Sequence, residues 1–223
     1  MPTAFGQAML ASVAGHPQRF SMKMGHDPAM AMSCREFMHL RPDEEQLLES
    51  ISLPHSANVL DYGCGIGRHF SYVRQANATA RLVGIEICDL MLDHCRRIFT
   101  APATFVSSFA EVSVDQFDLI MLMGNGLGVL GGEQQATAGL ELLISSLRPG
   151  GRIVIETGNP FGAGYLSRNF TIDYHGQTDG PFTWGYSDRT WISETLARLG
   201  CTVAISESCA PGGSFFFVVA QKS

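Results

Sequence analysis

The sequence predicts an alternating α/β protein, a mostly parallel sheet with helices on both of its faces. Three observations carry that prediction. Five short apolar runs, at 58–62, 81–87, 103–107, 117–123 and 151–157, have the length and composition of strands buried on both sides. Helical stretches near 68–76, 89–99 and 133–147 separate them, as the crossovers between parallel strands require. The first run also opens, through glycines at 63, 65 and 67, straight into the first of those helices.

Before the first strand, residues 1–50 read as lid or cap helices. Met22, Met24, Met30, Met32 and Met38 stand there with His26, Asp27, Arg35 and His39. The methionines either form an adaptable binding surface or pack a helix onto the sheet. The first strand ends as Asp61-Tyr62-Gly63-Cys64-Gly65-Ile66-Gly67. Its glycines remove side chains that would block a ligand from backbone and allow φ values closed to other residues. Arg68 to Gln75 begins the helix, whose first amides form a polar nest beside the turn. A dinucleotide fingerprint places a glycine where this chain has Arg68.

The second strand, Arg81 to Ile87, carries Glu86 near its end, a carboxylate placed to accept hydrogen bonds from two ribose hydroxyls. Asp89 is the expected cap of the next helix. Thr104 to Glu111 supplies the third strand and a loop. Phe117 to Met123 gives the fourth strand, running into Gly124-Asn125-Gly126-Leu127-Gly128. Asn125 orients a ligand there, or is the residue a turn between glycines selects; Asp118, at the far end of the strand, reads as structural. Pro149-Gly150-Gly151 stops the third helix ahead of the fifth strand.

Between Gly158 and Tyr186, Phe170, Ile172 and Tyr174 alternate with polar residues, and Phe182, Trp184 and Tyr186 repeat the period after Gly176–Gly180. This is a hairpin with one aromatic face, which either lines a pocket or covers the core. Asp173 and His175 fall on its other side. A helix over 188–199 and strands over 201–208 and 214–220, paired antiparallel, complete the chain.

With 223 residues the chain suits a single domain, divided as 1–50, a core at 51–158, a hairpin insertion at 159–186 and a closing helix and strand pair at 187–223. The net charge is −6 and no run of Lys or Arg occurs, which disfavours a nucleic-acid partner. No apolar run reaches the length of a membrane span. No basic residue precedes the mildly apolar 8–14, so a secretory signal is not expected. The six cysteines, at 34, 64, 88, 95, 201 and 209, include no CxxC pair and no zinc spacing, which implies reduced thiols, a cytoplasmic protein and no metal site.

Asp61 and the three glycines, followed at ordered intervals by Glu86, the 104–111 loop, the 117–128 strand and turn, and Leu147–Thr157, resemble the motifs of class I S-adenosylmethionine-dependent methyltransferases. The resemblance covers about 57–157 well. It implies a Rossmann-like fold of seven strands with one reversed strand from the C-terminal pair. It implies S-adenosyl-L-methionine as cofactor and S-adenosyl-L-homocysteine as product. Asp61, Gly63, Cys64, Gly65, Gly67 and Arg68 would surround the amino-acid end; Glu86 and Ile87 the ribose; Ser108 and Phe109, with Ala110, the adenine; Gly124 and Asn125 the transfer site. Arg68 or His69 would reach the cofactor carboxylate or else face solvent, and the Arg-His pair frequent in the family at this point favours Arg68. The family's frequent acidic residue in the adenine loop is absent.

Methyl transfer to oxygen, nitrogen or carbon is then an in-line displacement, governed chiefly by positioning. Where the acceptor must lose a proton, the candidate bases are His175, His26 beside Asp27, and Tyr174. The acceptor is expected to be a small molecule, planar or apolar; the oligomeric state is open. The alternatives are a nicotinamide-dependent (NAD(P)) oxidoreductase and a non-catalytic cofactor-binding regulatory protein.

Overall fold

The computed structural model describes residues 3–16, 18–112, 116–209 and 214–223. Seven strands form the main sheet: β3 (Asn58–Tyr62), β4 (Arg81–Ile85), β5 (Ala103–Val106), β6 (Phe117–Leu122), β7 (Leu147–Gly158), β10 (Cys201–Glu207) and β11 (Phe215–Lys222). Their order is β10-β11-β7-β6-β3-β4-β5. All neighbours among the first five in sequence pair parallel, whereas β11 runs antiparallel to both β7 and β10. The sheet is the seven-stranded, mostly parallel one anticipated from the sequence, with one reversed strand.

Residues alternate across it, save at the irregularity between Phe117 and Leu119. Val59, Leu119, Met121 and Val154 face α2 (Pro42–Glu49), α3 (Arg68–Ala76) and α4 (Asp89–Ile98), where Leu48, Phe70, Val73, Leu92 and Cys95 receive them. Leu60, Ile120, Leu122, Ile153 and Ile155 face α5 (Glu133–Ser145) and α6 (Arg189–Arg198) on the other side, through Leu140, Leu143, Ile144, Ile192 and Leu196. Because both faces are covered, the strands read as nearly unbroken apolar runs. Asp118 is structural, as expected: its carboxylate accepts from the Asn58 N–H at 2.7 Å and pairs with Arg148. Asp188 caps α6, accepting from the Trp191 N–H at 2.8 Å. Asp89 does not cap α4. The cap position belongs to Cys88, and it is Glu86 that accepts the Cys88 N–H, at 2.9 Å.

The N-terminal segment departs from the expectation of lid helices alone. After α1 (Ala4–Val13), the methionine-rich stretch forms β1 (Arg19–Met24) and β2 (Met30–Ser33) rather than a helix. They join β8 (Tyr165–Tyr174) and β9 (Gln177–Ser187) in a second, four-stranded sheet ordered β2-β1-β8-β9. The join is β1 to β8, with Ser21 opposite Asp173 and Met24 opposite Phe170. The aromatic hairpin is present as β8 and β9, but its turn is tighter than the glycine-rich 176–180 suggested. Tyr174 pairs with Gln177 across His175 and Gly176 alone, whose φ values of 50° and 80° match the primed two-residue turns that suit strand twist.

This second sheet and α1 enclose a third apolar cluster, in which Met9, Phe20, Phe170, Ile172 and Tyr174 meet Ile66, Cys88 and Met91 of the main body. Gly6 of α1 lies so close to α4 that a Cβ there would stand 2.5 Å from the Cys88 sulfur. Asp179 of β9 receives the N–H groups of Thr3 and Phe5 at 2.8 and 2.9 Å. The hairpin therefore supplies the cap that the start of α1 lacks locally.

Candidate active site

The carboxyl ends of β3, β4 and β6 converge where the strand order reverses direction, the position at which open α/β sheets bind ligands. A cavity of about 340 Å³ lies there, between the main sheet as floor and the four-stranded sheet with α1 as roof. Gly63, Cys64, Gly65, Arg68, Glu86, Ile87, Gly124 and Asn125 all line it, so eight of the expected cofactor residues share one space.

Backbone geometry explains the glycines separately. The turn is pinned to β4, with the Gly63 and Cys64 N–H groups donating to the Ile85 carbonyl at 2.8 and 3.0 Å. Gly65 has φ +55°, and a Cβ built on it would meet nothing within 4 Å. It leaves a bare backbone cradle at the cavity wall. Gly67, with φ +80°, faces away: a Cβ there would approach Phe99 to 2.5 Å. Its smallness lets α3 start against Phe99, and it does not line the cavity.

Six other expected site residues lie off this cavity's wall. Asp61 is 1% exposed beneath the turn, held by His69 rather than reaching the cavity wall. Ser108 and Phe109 sit just past the end of β5, where Ser108 caps a short 3-10 turn by accepting the Ala110 N–H; neither lines the cavity. None of the three base candidates reaches the cavity either. His26 lies exposed in the β1–β2 turn, and His175 is exposed at the tip of the hairpin turn. Tyr174 is buried in the roof's apolar cluster with its ring against His175.

Glu86 accepts the Gly65 N–H at 3.0 Å through one oxygen and the Cys88 N–H at 2.9 Å through the other. Burial pushes its carboxyl above the ordinary carboxylate value, and the N–H donors of Cys88, Gly65 and Ile87 work against that shift. Asn125, with φ 57°, fits the turn reading of its role. It occupies a left-handed turn position, and its amide donates to the Gly185 carbonyl at 3.5 Å while accepting from Thr157 at 3.3 Å, tying the floor to the roof.

A charged network behind the turn was all but illegible in the sequence. Glu44, wholly buried on α2, accepts from Arg68 at 2.7 and 3.1 Å and from the Arg41 backbone N–H at 2.7 Å. Burial would raise its carboxyl, but the adjoining His69 ring, the Arg68 charge and the Arg41 N–H overcome this and hold it down at about 2. Arg41 extends the chain to Glu156, which accepts from the Gly124 N–H at 2.8 Å. The one local signal was Arg41-Pro42 followed by Glu44, the spacing of a helix start with a carboxylate at its third position.

The roof is apolar. Phe5 and Met9 from α1, Phe20 and Met22 from β1, and Phe182, Trp184 and Tyr186 from β9 face the glycine turn across the cavity. Trp184 is seated on Gly128, where a Cβ would fall 1.8 Å from its indole nitrogen.

Residues 59–151 match the family described as methyltransferase domain. A dTDP-3-amino-3,6-dideoxy-alpha-D-glucopyranose N,N-dimethyltransferase of Streptomyces fradiae is 27% identical over 122 residues, which are 54% of this chain and 45% of that enzyme. The match thus spans less than half of the curated relative. Among solved structures, a methyltransferase from Bacteroides fragilis in complex with S-adenosyl-L-homocysteine superposes with a TM-score of 0.81 at 17% identity, over 100% of this chain and 97% of that one. The 1,6-didemethyltoxoflavin-N1-methyltransferase of Burkholderia thailandensis gives 0.56 at 20% identity, over 76% and 72%. Residues 59–151 thus resemble a methyltransferase domain, and the fold of the whole chain is that of the solved S-adenosyl-L-homocysteine-bound methyltransferase.

Proposed function

We propose that the protein transfers a methyl group from S-adenosyl-L-methionine to a small, planar or apolar acceptor. The observation that carries this reading is the meeting, in one cavity, of the bare glycine turn and Glu86 on one wall with a roof of phenylalanine, methionine and tryptophan on the other. When bound, the cofactor supplies a methyl group already activated on a sulfonium centre. The protein's part is then to hold two reactants in line and keep water out.

The residues suit that ligand. Gly65 leaves room at the turn, Glu86 has carboxylate oxygens at the end of β4, and Ile87, 52% exposed beside it, offers an apolar surface for a base. Asn125 stands between floor and roof, next to where acceptor and methyl group would meet. Ser108 and Phe109 border the same end of the sheet and would close the adenine side. A nicotinamide dinucleotide suits the turn less well, because Arg68 stands where its fingerprint has the third glycine.

The curated relative is named for an amino sugar and one structural neighbour for 1,6-didemethyltoxoflavin, and these acceptors support a small-molecule substrate here. The roof's rings and thioethers favour the planar class. The lack of any basic run supports a partner other than nucleic acid, and the free thiols suit a reducing cytoplasmic compartment. Among the described residues no helix is long and apolar enough to cross a membrane.

Titration calorimetry with S-adenosylmethionine, S-adenosylhomocysteine and NAD tests the reading. Binding of the first two and not the third is expected; binding of NAD alone would overturn it.

A further inference from the structure

We infer that the acceptor is an uncharged, flat heteroaromatic molecule methylated on a ring nitrogen, whose lone pair attacks without help from a protein base. The inference rests on the methyltransferase reading and deepens it by naming the acceptor's charge and its reacting atom.

The charges on the cavity wall all stand on one side. Among the described residues, the acids and bases that line it are Arg68, His69 and Glu86, which belong to the floor around the glycine turn. Each is already engaged there. Arg68 donates to Glu44 at 2.7 and 3.1 Å, and His69 is held between Asp61, 2.9 Å from its Nδ1, and Glu44, 3.8 Å from its Nε2. Glu86 takes the Gly65 and Cys88 N–H groups, one on each oxygen. The Cys64 thiol beside them is kept neutral, because the adjoining Cys95 thiol and burial both push it up.

The described residues of the roof present no charge to the cavity. Thr183 borders it, but its hydroxyl is turned to Asn169 at 2.9 Å. The Tyr186 hydroxyl donates to the Met24 thioether at 3.7 Å, and burial pushes it up, so it stays a neutral phenol. Asn125 spends its amide on the Gly185 carbonyl and the Thr157 hydroxyl. A charged acceptor on this side would be buried without a counter-ion, at a cost its apolar contacts do not return. An ammonium would find no group there to take its proton, and an alcohol none to activate it.

What the roof does offer is π surface. The Phe170 ring lies 5.4 Å from Phe182 and 5.3 Å from Trp184, the latter at 78°, and Trp184 is fixed by its seat on Gly128. Such a wall receives a flat ring by face or edge. Reaction at a ring nitrogen then needs nothing the roof lacks. The nitrogen lone pair forms the new N–CH3 bond, the S–CH3 bond breaks with its electron pair left on sulfur, and the positive charge passes to the ring. No proton has to leave, the net charge in the cavity is unchanged, and aromatic faces stabilise the cation that results.

The test begins with calorimetry of S-adenosylhomocysteine on the whole chain. Radiolabelled methyl transfer from S-adenosylmethionine is then measured with four probes of similar size: quinoline, 1-naphthol, 1-naphthoate and 1-naphthylmethylamine. Quinoline should be methylated, with kcat/KM at least about a hundredfold above each of the others, the factor that a missing general base withholds. Trp184→Leu, which keeps bulk and removes the π face, should lower quinoline turnover about five- to tenfold.

Transfer to any of the other three probes within that hundredfold, or to none of the four by a protein that binds S-adenosylhomocysteine, would overturn the inference. Quinoline turnover unchanged in a folded Trp184→Leu would overturn it equally, since the aromatic wall would then have no part in choosing the acceptor. If wild type does not bind S-adenosylhomocysteine, the methyltransferase reading itself falls, an outcome distinct from the others. Should Trp184→Leu fail to fold, the four-probe comparison on wild type decides.

Discussion

Glu44 and Arg68 form a two-pronged ion pair, Oε1 to Nη2 at 2.7 Å and Oε2 to Nη1 at 3.1 Å, joining the helix before the sheet to the helix after the glycine turn. The carboxylate is wholly buried and the guanidinium nearly so. Such a pair is costly to break from one side, because the remaining charge is left without a partner. Glu44→Ala should therefore destabilise the protein by about 3 to 5 kcal/mol in denaturant titration, far more than removal of an exposed ion pair such as Arg96–Asp93.

The same residue sets an acid limit. Glu44 is held at about 2 in the folded protein against an ordinary value of 4.5, so its contribution is complete above the unfolded value and is lost as pH falls between about 4.5 and about 2. That contribution is on the order of 3 kcal/mol. Thermal melts of Glu44→Gln across this window should show a shallower fall in stability than wild type.

Two glycines of one turn should separate binding from folding. Gly65→Ala points a methyl group into the cradle and should weaken S-adenosylhomocysteine at least about tenfold, with about 1 to 2 kcal/mol of backbone strain. Gly67→Ala drives a methyl group into Phe99 and should lower stability by a larger amount, about 2 to 4 kcal/mol, since overpacking adds to the strain. Calorimetry and melting curves on both variants check the contrast.

Glu86→Ala removes oxygens proposed to meet the ribose and should cost about 1 to 3 kcal/mol of cofactor affinity. It also leaves the Gly65 and Cys88 N–H groups without their acceptor, so the melting temperature should fall as well.

His26→Ala and His175→Ala should leave turnover within about twofold of wild type, because both rings lie on exposed turns outside the cavity. Once an acceptor is found, steady-state kinetics will check this.

Most of the main sheet was legible because strands buried on both faces leave unbroken apolar runs, and Leu60 or Ile120 needs no distant partner to be recognised as core. The turn and Glu86 were legible because their chemistry is local. The roof was only half so. Phe170 and Trp184 announced a hairpin by alternation, but Met22 and Met32 carry little β preference, and the pairing of Ser21 with Asp173 spans the chain. Glu44 read as one acidic residue in an acidic helix start, because what makes it special is Arg68 on another element. The histidines misled for the same reason: His26 and His175 had promising neighbours in sequence, while His69 has them in space.

The roof is stitched from the two flanks of the core, with β1 paired to β8 and Asp179 holding the first turn of α1. Neither flank makes a complete substrate wall. A chimera that imports a relative's hairpin but keeps this chain's own opening forty residues would inherit mismatched halves, so substrate range in this scaffold has to be exchanged as a matched set while the nucleoside floor is left untouched.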